Sequence, residues 1–153
     1  MSRKIEVLTR TLSNARIVDL EAHIDHEQSD DIKKFSMSVS CVEDELLKDK
    51  DSDIYTRIVK MGVMVDVYQK DEEKAFAQFK ILVEARAFDS LGDKAEKKFQ
   101  DELLGDCVVT AYEYAKNELY SVMHSMAIQP LVLPTANRKN LMRSVKALAK
   151  DSS

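Results

Sequence analysis

The chain predicts an α+β fold: a four-stranded antiparallel sheet, then a long helix, an extended Pro-bounded linker and a C-terminal helix. Three observations carry this. Before residue 90 apolar residues recur at every second position in four stretches, and from Asp93 they recur at every third and fourth. Only three glycines and two prolines occur in 153 residues, so long elements with few tight turns are expected.

The elements follow in order. In "RIVDLEAHID", Val18, Leu20, Ala22 and Ile24 alternate with Asp19, Glu21, His23 and Asp25, the pattern of a strand with one wet face. In "KFSMSVSCV", Phe35, Met37, Val39 and Cys41 alternate with serines. After an acidic break, "VEDELLKDKDSD", the run "IYTRIVKMGVMVDVYQ" is apolar on one face and partly apolar on the other. Across the polar turn "QKDEEK", the stretch "AFAQFKILVEARAF" makes a fourth strand, pairing with the third as a long antiparallel hairpin.

From Asp93 the helical stripe runs through Phe99, Leu103, Cys107, Ala111, Ala115, Leu119, Val122 and Met126. Gly105 predicts a division into a short first helix and a longer second one. Pro130 stops the helix, so "AIQPLVLPT" is extended, with Leu131 and Leu133 on one side and Val132 on the other. These leucines serve the core, a subunit interface or a bound ligand. A final helix begins near Asn137, with Leu141, Val145 and Leu148 as its apolar seam.

At 44% hydrophobic and 33% charged residues the composition is that of a globular protein, and the length fits a single domain over residues 1–153. The net charge of −4 argues against nucleic acid as principal partner. Asp19, Glu21 and Asp25 offer either a docking face for a basic partner or a solvated edge. Cys41 and Cys107 lack ligand spacing and read as buried free thiols, which suits a reducing compartment. With no secretory leader and no run long enough to span a bilayer, a cytoplasmic location without membrane insertion is expected.

Chemistry is scarce. His23 and His26 would point to opposite faces of a strand and His124 is isolated, so no metal site is expected. No nucleophile elbow, phosphate loop or dinucleotide loop occurs. Neighbouring carboxylates such as Asp30 and Asp31 lack an apolar pocket signature. The chain is therefore read as a non-enzyme with no catalytic residue and no cofactor. What remains is surplus apolar surface, including seven methionines, whose unbranched side chains suit ligands of varied shape.

The order of elements and several local motifs resemble the SecB family of protein-export chaperones. The matching residues are Asp53, Ile54 and Tyr55 opening the third strand, Glu73, Ala75 and Phe76 opening the fourth, "LGDC" at residues 104–107, "YAK" at 114–116 and "PLVLP" at 130–134. The resemblance implies an ATP-independent holdase that binds unfolded or non-native polypeptides through apolar grooves. It also implies a homotetramer built as a dimer of dimers. Phe35, Met37, Tyr55, Leu131 and Leu133 are then candidates for client binding, and Ala111, Ala115, Leu119 and Val122 for the oligomer interface. "HEQSDDIKK" lacks the aromatics of typical members, and the tail is basic where export-type members carry an acidic one associated with SecA. A role in export with SecA and the protection of a dedicated client such as an antitoxin are both open. The alternative is a non-catalytic interaction or assembly protein with a dedicated partner.

Overall fold

Alternation of β-branched and small residues before residue 90 lays down four strands: β1 (Leu12–Ile24), β2 (Ile32–Lys48), β3 (Ile54–Gln69) and β4 (Ala77–Ser90). Two helices follow, α1 (Glu96–Ser125) and α2 (Arg138–Asp151). The computed structural model describes residues 12–24, 32–69, 73–126 and 131–151, so the expectations placed on Asp25, His26, Asp30, Asp31 and Pro130 lie outside the described residues.

The strands form one antiparallel sheet in the order β1-β4-β3-β2. The β3–β4 hairpin sits at its centre, in register from Ile54 opposite Ser90 to Val67 opposite Ala77. Val59, Met61, Val63, Val65 and Val67 of β3, with Phe79, Ile81 and Val83 of β4, point to one face and are buried. α1 crosses that face over β4, β3 and β1, while α2 reaches over β2. Each fully buried Val, Ile or Phe contributes about 1.5–3 kcal/mol, which makes this sheet–helix layer the principal source of stability. The opposite face is open and largely polar, with Arg16, Asp19, Glu21, Lys80 and Arg86 exposed on β1 and β4.

Three sequence expectations change. The acidic break after Val42 is strand: β2 continues to Lys48 because the register shifts between Cys41 and Glu43, leaving Val42 as an extra residue. That shift resets the alternation, so Asp44 faces the helix side and Arg57 holds it with two hydrogen bonds of 2.7 Å. A second shift, between Ile17 and Asp19, ejects Val18 and starts the inward pattern of β1 earlier, at Ala15 and Ile17. Finally, α1 is unbroken at Gly105. The glycine makes room for Arg138: a Cβ at this position would lie 2.5 Å from the Arg138 Nη2.

Candidate client-binding groove

Between α1 and the outer strand β2 the sheet offers a trough. Phe35, Met37, Val39 and Cys41 of β2 stand opposite Val67, Val65, Val63 and Met61 and line its floor, half-buried against the core. The serines between them, Ser36, Ser38 and Ser40, are exposed on the open face. Tyr112 and Tyr120 of α1 supply the wall.

Residues 131–137, which we call the strap, form neither helix nor strand and cross this trough from Tyr120 toward Tyr112. The backbone N–H of Leu133 donates to Tyr120 Oη at 2.8 Å, and Tyr112 Oη donates to the carbonyl of Pro134 at 2.5 Å. The same Tyr112 oxygen lies 3.8 Å from Met37 Sδ, which joins wall to floor. Burial raises the pKa of the Tyr112 phenol, with Glu113 and Tyr120 adding to the shift, so it remains a protonated donor at neutral pH. Leu133 is 3% exposed and Leu131 is half-buried, whereas Val132 between them is 85% exposed, as extended backbone requires.

Beyond the strap, α2 is anchored at its first residue. Arg138 Nη1 meets Asp106 Oδ1 at 2.8 Å and its Nη2 donates to the Glu102 carbonyl at 2.6 Å, so the guanidinium lies on the helix backbone at Gly105. The Asn137 side chain caps α2 by accepting from the Asn140 N–H at 3.0 Å. Strap and helix are thus fixed at three points along α1.

Of the residues singled out for client binding, Met37 meets Tyr112 and Leu133 meets Tyr120, while Phe35 and Leu131 pack half-buried against the same core. Tyr55 lies apart from them. It pairs with Lys48 at the other end of the sheet, roughly 30 Å along β3 from Val65 at the rise of an extended strand. There it is 8% exposed and packs edge-on to Phe99 at a centroid distance of 5.5 Å. Lys48 lies over the Tyr55 ring and Lys94 over the Phe99 ring. Its role is to seat the start of α1.

Ala111, Ala115 and Leu119 are fully covered by their own sheet and leave no surface for a second chain, while Val122 is half-buried. Asp19 and Glu21 are exposed on the open face. The wall residues Tyr112 and Tyr120 were not found by sequence reasoning. Their eight-residue spacing puts them about two turns apart along one helix flank, but nothing in that spacing says the phenols meet backbone. Among the described residues no group of three or more His, Cys, Asp or Glu side chains is placed to hold a metal ion, and no helix is long and apolar enough to cross a membrane.

No protein-family model and no curated protein matches the chain. Among solved structures it is similar to the SecB-like chaperone Rv1957 of Mycobacterium tuberculosis, in complex with a ChAD peptide from the HigA1 antitoxin (Rv1956). The TM-score is 0.60 at 14% sequence identity, over 86% of this chain and 95% of that one. With its four-stranded antiparallel sheet, long helix and short C-terminal helix, the chain has a SecB-like fold.

Proposed function

We propose that this protein is an ATP-independent holdase, binding unfolded or non-native polypeptide segments in the trough between β2 and α1. The observation that carries the reading is the trough itself: an apolar floor and a phenol-bearing wall that hold extended backbone. Such a surface needs no bond chemistry. Each apolar contact contributes about 25 cal/mol per Å² removed from water, offset by ordering of the client, so affinity comes from many weak contacts along a long segment.

A dedicated client is the narrower form of this reading, supported by the neighbour having been solved with an antitoxin peptide. The exposed Asp19 and Glu21 are our choice of docking face for a basic partner. Assembly as a dimer of dimers belongs to the same proposal. Its contact along α1 falls to half-buried Val109, Tyr114 and Val122, because Ala111, Ala115 and Leu119 are already covered.

The test is aggregation of a chemically denatured client, followed by light scattering at stoichiometric protein and without nucleotide. Suppression is expected. Full aggregation at the rate of the client alone overturns the holdase reading and favours an assembly protein with one dedicated partner.

A further inference from the structure

The trough of this chain is already occupied by the chain itself. The strap enters it in the geometry an unfolded segment would adopt: extended, with Leu131 and Leu133 turned inward and Val132 outward. Its two inward contacts made by phenols are both to main chain, Leu133 N–H to Tyr120 and Pro134 C=O to Tyr112. Main-chain contacts do not read side-chain identity. The same pair of phenols therefore suits any extended segment that offers an N–H to Tyr120 and the next residue's C=O to Tyr112.

We infer that residues 131–136 are an internal ligand of this trough, displaced by an extended client segment with apolar residues at alternate positions that takes over the Tyr112 and Tyr120 contacts. The inference rests on the holdase reading and adds what the trough selects. Being tethered at α1 on one side and at Arg138 on the other, the strap competes at an effective concentration on the order of millimolar. Short apolar segments of folded proteins lose that competition. A long unfolded chain, which contacts several surfaces at once, wins it.

The experiment measures binding of a fluorescein-labelled synthetic peptide, QPLVLPTAN, the sequence of residues 129–137. It compares the wild-type protein with Leu131→Ser/Leu133→Ser, which empties the strap's grip and leaves floor and wall untouched. The variant is expected to bind the peptide at least about tenfold more tightly, the loss of one buried and one half-buried leucine being worth that in the competition. Equal or weaker binding by a variant with native circular dichroism overturns the inference.

Should the variant not fold, the wild type decides. Titrated with the same peptide to about millimolar, it is expected to show faster hydrogen exchange at Leu133. Unchanged exchange overturns the inference. The two readings also fail separately. A wild type that does not hold denatured clients, beside a strap variant that binds peptide, sinks the holdase reading alone. A wild type that holds clients, beside a strap variant with no gain, sinks the internal ligand alone.

Discussion

Gly105 takes its meaning from what it admits. An alanine there gains about 1 kcal/mol of helix propensity, yet its Cβ displaces the Arg138 guanidinium, a mobile group that swings away at little steric cost. What is lost is its hold on Asp106 and Glu102. Gly105→Ala is therefore expected to leave global stability within about 1 kcal/mol of wild type while α2 exchanges hydrogen faster. Arg138→Ala is expected to loosen α2 equally, and the double variant no further; additive effects on α2 exchange would contradict the shared contact.

Glu84, 6% exposed on the otherwise open sheet face, is held by Arg16 at 3.2 and 3.4 Å and by Arg86 at 3.2 Å. The Arg16 hydrogen bonds hold its carboxyl below the ordinary value of 4.5, against the opposing effect of burial and with help from Arg86. A carboxylate whose native pKa is lowered stabilises the fold above its unfolded value, and that contribution is lost as pH falls through the native value. Glu84→Gln is expected to lose less stability than wild type between about pH 7 and about pH 3.5 in urea denaturation. Equal losses would show that the arginines do not act on this group. In the core, burial pushes the Cys107 thiol up to about 12, and its sulfur lies 3.2 Å from the Arg57 carbonyl. Native protein is expected to show Cys107 inert to thiol reagents until unfolding, while half-buried Cys41 reacts first.

At the scale of elements, α1 does most of the covering. Its Leu119 is fully buried against the sheet, and Leu119→Ala is expected to cost about 3 kcal/mol by thermal or urea unfolding, the transfer loss plus an unfilled cavity. Strand and helix periods were legible in the sequence because the faces they pattern are the ones buried: Val59 to Val67 on β3, Phe99 to Leu119 on α1. The bulges were not, since Val18 and Val42 look like ordinary strand valines until a partner strand shows that one residue is surplus. Gly105 was misread for a related reason: propensity sees a weak helix position, whereas tertiary packing had a use for the missing Cβ. In the candidate site, the inward alternation of Phe35 and Met37 and of Leu131 and Leu133 was legible from period two, whereas their grouping as a client site came only from the family resemblance. Tyr112 and Tyr120 were not legible, because a phenol that reads backbone many residues downstream leaves no local pattern.

For the whole molecule, strand order sets folding. The β3–β4 hairpin is local, but β1 pairs with β4 across the chain, from Leu12 opposite Phe88 to Ile24 opposite Ala77. Loop closure must precede any gain from such pairing, so β1 is expected to dock late. Ile17→Ala should then speed unfolding and leave the folding rate nearly unchanged; a slowed folding limb in the chevron would place β1 in the nucleus instead.

The same order leaves two rims, β1 and β2, and each carries a bulge that turns a valine outward; Val42 is 64% exposed. A straight rim of unpaired N–H and C=O groups templates further strands, and a bulge spoils the template by twisting it and leaving one residue out of step. For a protein proposed to keep company with sticky, half-made chains, that is hygiene: the sheet refuses to be the seed of the aggregate it is meant to prevent. Deleting Val42 restores an even rim without moving the pairs on either side, and the repaired edge should reveal itself as concentration-dependent self-association that the bulged protein lacks.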